Sequence, residues 1–157
     1  HFNQVPQGKN MVLYLDNLSD PGNVGTLIRV ADWFGLSGVV MSAQSADPLS
    51  PKTVQSAMGS VFHVPLCVCE WSAIPIELKT QVVGLDAGGE NLFQPGNIST
   101  PTLLVVGSES HGLSDQVRKD CDAIASIPGA GRAESLNASV AGAVAVASMF
   151  QQRMTLG

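Results

Sequence analysis

Two spacings of apolar residues share this chain. Short continuous apolar runs at residues 11–15, 39–41, 82–85, 102–106 and 123–127 predict buried strands, and residues 61–68 alternate imperfectly as a strand or extended segment. Between the first two runs, Val24, Leu27, Ile28, Ala31 and Phe34 recur at helical spacing. They mark the buried face of a helix that opens at Asn23, after the turn residues Asp20-Pro21-Gly22, and ends at Gly35 and Gly38. Gly25, Arg29 and Trp33 are four apart and define the opposite face. That face reads equally as solvated surface or as a meeting point for a partner subunit or nucleic acid. Residues 52–58 predict a short helix stopping at Gly59, 71–79 a poor helix broken by Pro75, and 113–121 a short amphipathic one. A long apolar helix runs from Ala138 to about Met154. Residues 1–10 read as a polar lead-in, 45–51 as a loop and 88–101 as an irregular connection.

Strands apolar throughout, alternating with helices, predict an α/β fold with a mostly parallel sheet covered by helices on both faces. At 157 residues the chain fits a single domain. Three loops follow three strands, at residues 17–23, 107–112 and 128–135. Ligands of open α/β sheets sit beyond the carboxyl ends of the strands. If these loops share an edge, Asn23, Arg29, Glu109, Ser135 and Asn137 surround one pocket.

Composition narrows the class. Hydrophobic residues make up 45% and charged ones 13%, which excludes a disordered tail. The longest apolar stretch, residues 138–150, is interrupted by Ser139, Gly142 and Ser148 and is too short to span a bilayer, so no membrane association is expected. A net charge of −5 counts against an RNA-binding surface over the whole domain and leaves room for a local patch. It also suits a cationic cofactor. Three cysteines without zinc-like spacing fit reduced thiols in a cytoplasmic protein. The chain opens at His1, without Met or signal peptide, which reads as a domain lacking an N-terminal partner.

The stretch from Ile127 to Ala141 carries the densest chemistry. Pro128, Gly129 and Gly131 imply positions where a side chain would obstruct or the backbone must turn sharply. Glu134, Ser135, Asn137 and Ser139 then stand at the mouth of the last helix. One Ser or Asn suffices as a cap, so the alternating Ser135, Asn137 and Ser139 point to a site. Familiar alternatives fail. Gly129-Ala130-Gly131 starts a dinucleotide fingerprint, but Glu134 stands where the third glycine belongs. Ser108 removes the first glycine of a nucleophile elbow around Ser110. His63 and His111 lack spaced partners for a metal, and His111 reads as solvated or hydrogen-bonded. Glycine-rich loops with hydrogen-bonding groups, and neither nucleophile nor metal, suit a reaction whose difficult chemistry a cofactor carries.

Three ordered segments resemble the motifs of the SpoU/TrmH family of RNA ribose 2′-O-methyltransferases, of the SPOUT class. They are Asp20-Pro21-Gly22-Asn23-Val24-Gly25-Thr26-Leu27-Ile28-Arg29-Val30-Ala31, then Val106-Gly107-Ser108-Glu109-Ser110-His111-Gly112-Leu113, then Ile127-Pro128 through Ser135-Leu136-Asn137-Ala138-Ser139. Ser56-Ala57-Met58-Gly59-Ser60-Val61-Phe62 resembles the family's linking segment. Gly129 and Ala138 depart from the larger apolar residues common there, without removing a polar group.

The resemblance implies a C-terminal deep trefoil knot, a homodimer, and S-adenosylmethionine held by the knot loops, with S-adenosylhomocysteine as product. It implies cofactor contacts from Leu104, Val106, Gly107, Ser108, Glu109 and Gly112, and from Ile127, Pro128, Gly129, Gly131, Ser135, Leu136, Asn137 and Ala138. It implies a reaction centre of Asn23, Arg29, Glu109, Ser135 and Asn137. Because a guanidinium stays protonated, Arg29 is expected to bind a phosphate or the developing alkoxide rather than take the proton. The expected substrate is RNA, ribosomal before transfer RNA. The competing expectation is an inactive member that binds adenosyl ligands or RNA without turnover.

Overall fold

The computed structural model describes residues 11–94 and 101–156. The lead-in at 1–10 and part of the connection expected at 88–101 therefore lie outside the described residues. Six strands form one sheet in the order β3-β2-β1-β5-β4-β6, every neighbouring pair parallel. They are β1 Val12–Asp16, β2 Gly38–Met41, β3 Leu66–Val68, β4 Val82–Asn91, β5 Leu103–Gly107 and β6 Ala123–Ser126. The helices are α1 Pro21–Trp33, α2 Pro51–Ala57, α3 Asp115–Asp120 and α4 Ala138–Leu156.

Strand alternation divides the core in two. Leu13, Leu15, Val39, Met41, Leu104 and Val106 point to one face, where α1, α2 and α4 cover them. Val12, Tyr14, Val40, Leu103 and Val105 point to the other, beneath α3 and the turns around Trp71, Ile74 and Leu78. The expected two-faced parallel sheet is therefore present. No helix among the described residues is long and apolar enough to cross a membrane.

Several expected elements differ in detail. Helix α1 begins at Pro21 rather than Asn23, because Asp20 is its cap and proline suits a helix's first position. The helix expected at 71–79 is two 3₁₀ turns, Trp71–Ala73 and Ile76–Lys79, with Pro75 between them. In the segment 61–68 only Leu66–Val68 is strand, after a 3₁₀ turn at Ser60–Phe62. Strand β4 runs on to Asn91 through a register shift against β6 between Leu85 and Glu90. Gly25 is not on an open face. A Cβ there would lie 2.4 Å from the Thr53 carbonyl oxygen, so α1 packs on α2 through it, while Trp33 is 83% exposed.

All carboxyl ends lie at one edge, and Asp16 of β1 is in register with Gly107 of β5. These neighbouring strands send their chains to opposite faces, β1 to α1 and β5 to α3. The loops diverge there and leave a crevice, the usual position for a ligand in such sheets.

Candidate functional site

The β1 side of the crevice is a braced helix start. Asp20 Oδ1 accepts from the Asn23 backbone N–H at 3.0 Å, and Thr26 Oγ1 donates to the Gly22 carbonyl at 2.9 Å. The Asn23 N–H holds the Asp20 carboxyl below the usual carboxylate range, as a charge at a helix N-terminus should. The Asn23 side-chain amide then donates to Glu109 Oε1, tying α1 to the loop after β5.

That loop closes on itself. Ser108 and Gly112 exchange backbone hydrogen bonds of 3.0 and 2.9 Å, and Gly112 sits at φ +66°. A Cβ on Gly107 would lie 2.3 Å from the Gly112 carbonyl. The glycines are thus demanded by the loop's own closure, before any ligand arrives. His111 is hydrogen-bonded, its Nδ1 2.7 Å from Ser110 Oγ. Burial pushes the Cys69 and Cys121 thiols up to about 11, so neither serves as a thiolate nucleophile near neutral pH.

The segment after β6 is built differently. Residues 128–137 are exposed. A Cβ on Gly129 or Gly131 would meet nothing within 4 Å, and neither residue is left-handed. The expected obstruction or sharp turn is therefore not imposed by the chain at either glycine. At its end Asn137 Oδ1 accepts from the Ser139 N–H (2.9 Å), Ser139 Oγ (2.7 Å) and the Val140 N–H (3.3 Å). Asn137 and Ser139 are consumed in capping α4. Of the three alternating polar residues, only Ser135 is left facing a cavity.

The cavity lies between these two segments, with a volume of about 280 Å³. Val106, Ile127, Leu136 and Ala138 supply apolar wall, and Glu109, Glu134 and Ser135 supply polar groups. Asp86 also lines it and is paired with Arg118. Among the described residues no lysine or arginine lines the cavity, so its field favours a cation.

Of the fourteen expected cofactor residues, Val106, Gly107, Ser108, Glu109, Gly112, Ile127, Ser135, Leu136 and Ala138 line the cavity. Leu104 is instead buried in the core, and Pro128, Gly129, Gly131 and Asn137 lie off the wall. Asn23 reaches the cavity through Glu109. Arg29 lies on exposed α1 surface outside the lining, about 9 Å along the helix axis from Asn23. Leu85, Asp86, Ala87, Ala125, Glu134 and Ala141 also line the cavity and were not expected. The signal for Asp86 and Ala87 was the Gly88-Gly89 pair, since glycines within a strand pattern mark a bulge.

Comparison with known proteins follows the same lines. The chain is 41% identical over 149 residues to an uncharacterized tRNA/rRNA methyltransferase of Mycolicibacterium gilvum, covering 91% of this chain. It spans about half the length of that relative, 47%. The SpoU methyltransferase AviRb from Streptomyces viridochromogenes, crystallised with its cofactor AdoMet, superposes with a TM-score of 0.85 at 32% identity. That match covers 95% of this chain and 62% of AviRb. A structure concerned with 2-OH methylation of C/U34 on tRNA superposes with a TM-score of 0.80 at 27% identity, over 94% of this chain and 99% of the other. The model of the SpoU rRNA Methylase family matches residues 10–147, and the chain belongs to that family.

Proposed function

We propose that this chain is the catalytic domain of an S-adenosylmethionine-dependent methyltransferase that modifies a ribose 2′-hydroxyl in RNA, ribosomal RNA before transfer RNA. The observation that carries the reading is the cavity between the Gly107–Gly112 loop and the segment before α4. It has apolar walls and two carboxylates, Glu109, which Asn23 orients, and Glu134, with no basic side chain in its lining among the described residues. Those groups fit a donor that pairs the flat face of an adenine ring with positive sulfonium and ammonium groups. When bound, the donor supplies an activated methyl group, and the ribose oxygen that receives it loses its proton.

The protein's task is alignment and charge. Val106, Ile127, Leu136 and Ala138 would hold the donor by their apolar surface, and Glu109 and Ser135 would supply the polar groups for it. Asn23 fixes Glu109, so its effect on turnover is a positioning effect. Arg29 binds an RNA phosphate beside the target nucleotide or the alkoxide developing on it, and phosphate or water accepts the proton. Asn137 sets the start of α4, which keeps Ala138 and Leu136 against the donor.

The return of the chain from the edge strand β6 to the sheet centre, where α4 packs on α1, is the segment we propose to be threaded as a trefoil knot. We also propose a homodimer acting in the cytoplasm, with an N-terminal RNA-reading domain outside this chain. The test is to incubate the full-length protein with methyl-labelled donor and total RNA, then map modified nucleotides by mass spectrometry. Label on ribose 2′-oxygens of ribosomal RNA is the expected result. Label on transfer RNA revises the substrate, label on bases overturns the reaction, and donor binding without label makes the protein a binder.

A further inference from the structure

A second cavity, of about 330 Å³, opens on the other side of the crevice, against the α3 face of the sheet. Its floor is Tyr14, which is 1% exposed. The Tyr14 hydroxyl makes no hydrogen bond among the described residues, although no fully buried side-chain polar atom there lacks a partner. The small remaining accessibility of Tyr14 is therefore at its hydroxyl, which opens into the cavity. A hydroxyl at the floor of a cavity, with no partner from the protein, is left to bond with whatever occupies the cavity.

The surround is fixed. Trp71 packs edge-on against Tyr14 with ring centroids 4.9 Å apart, and its Nε1 donates to Asp120 at 2.6 Å. Asp16 accepts from the Ser114 N–H at 2.6 Å. Asn17 holds a left-handed backbone at φ +56°, locked by Ser42, whose Oγ accepts from its N–H at 2.9 Å and donates to its Oδ1 at 3.0 Å. Asp16 and Glu70 both line the cavity, and both act on the phenol electrostatically. Among the described residues no lysine or arginine lines it. Lys79 is engaged by Trp71, donating to the Trp71 carbonyl at 2.8 Å and lying 4.3 Å from the centre of its ring.

We propose that this cavity is a second binding site, distinct from the methyl-donor cavity, for an alkylguanidinium or alkylammonium group. The neutral Tyr14 hydroxyl accepts one of its hydrogens, and the Asp16 and Glu70 carboxylates balance its charge. An anion is disfavoured by both carboxylates, and an apolar ligand would leave the hydroxyl without a partner. The cavity volume takes such a head group together with several carbons of its stem.

The test titrates isotopically labelled full-length protein with agmatine, and separately with N-acetyl-arginine amide as the protein-borne form of the same group. The Trp71 indole N–H resonance is the local reporter. A saturable shift of that resonance is expected. Agmatine alone producing it assigns the site to a free small cation, and the arginine derivative producing it assigns the site to a partner's side chain. Affinity is expected to fall about tenfold in Tyr14→Phe, which loses a charge-assisted hydrogen bond. A smaller loss, about threefold, is expected in Glu70→Gln, whose carboxylate is exposed. Tyr14→Phe should melt no lower than the parent, because the hydroxyl it removes has no partner. Absence of a saturable Trp71 shift with both probes, or affinity unchanged in both variants, overturns the proposal.

Discussion

The two segments that border the cavity proposed for the methyl donor are built on opposite plans. The loop after β5 is complete in itself: paired backbone bonds between Ser108 and Gly112, a Gly107 whose Cβ would strike the Gly112 carbonyl, a left-handed Gly112, and a brace to α1 through Asn23 and Glu109. The segment after β6 is exposed over residues 128–137, its glycines have open space around them, and it is pinned at its far end by the Asn137 cap. One wall is finished before a ligand arrives. The other has room to close over one. A glycine in the first is a folding requirement, whereas the fold of the chain places no such requirement on a glycine in the second.

The sharpest way to break this contrast is to add the same methyl group on each side. Gly107→Ala forces a Cβ into the Gly112 carbonyl, and its cost is expected to be at least about 3 kcal/mol, in the range of backbone clashes that cannot relax. Gly129→Ala meets nothing within 4 Å and is expected to stay within about 0.5 kcal/mol of the parent. Denaturant melts of the two variants decide it. Equal stabilities would erase the distinction, and a stable Gly129→Ala that has lost donor affinity would show that the glycine answers to the ligand.

The cap that ends the open segment comes next. Asn137→Ala is expected to cost about 1 kcal/mol by freeing the first N–H groups of α4, and Asn137→Asp should recover most of it. A loss of donor affinity in Asn137→Ala that Asn137→Asp restores would identify its role as positioning. Failure of the aspartate to restore affinity would give the amide itself a ligand contact.

What was legible in the sequence follows the same division. The two-faced sheet was readable because β1 and β5 are apolar at every position, and α1 because its buried residues keep strict helical spacing. The braced helix start at Asp20–Asn23 and the closed loop at Gly107–Gly112 were legible because their polar and glycine positions are set by short-range geometry. Less legible was anything decided by tertiary context. Gly25 looked like part of an open face because the sequence does not show α2 lying against it. Trp71 to Lys79 has enough helical character to suggest one element, yet Pro75 makes it two turns. Asp86 and Ala87 reach the cavity only because β4 bulges before Gly89, whose missing side chain lets β6 approach. Arg29 was expected beside the other site residues, and the fold leaves it on exposed α1 surface outside the cavity lining.

The brace between the finished wall and α1 is a smaller effect on stability. The Asn23–Glu109 bond is exposed, so a double-mutant cycle with Asn23→Ala and Glu109→Ala is expected to give a coupling of about 0.5 kcal/mol. Turnover should suffer more than stability, falling about tenfold or further in Asn23→Ala, because alignment errors act directly on the rate. Methyl-transfer assays with saturating donor measure it. Unchanged turnover would reduce the brace to a surface contact.

The smallest expected effect separates the two helix caps by pH. Asp20 caps α1 as a carboxylate, held below its ordinary range by the Asn23 N–H, by Gly22 and by Lys52 at 3.7 Å. A depressed carboxylate stabilises the folded protein above the pKa it has when unfolded, and that contribution is lost as pH falls through the lower folded value. Asn137 caps α4 without a charge, so its contribution has no such dependence. The stability difference between the parent and Asp20→Ala should therefore shrink as pH is lowered into the acid range, while the difference for Asn137→Ala stays constant. Asp20→Asn keeps a capping oxygen and removes the titration, so it should flatten the acid limb of the parent's profile. Because the Asp20 side chain is 48% exposed, salt should weaken the charged part of this effect and leave the Asn137 cap untouched. A pH series of denaturant melts at two ionic strengths reads both differences at once. Parallel profiles for the two caps would mean that Asp20 holds α1 by its hydrogen bond alone, with its charge contributing nothing to the rigid side of the site.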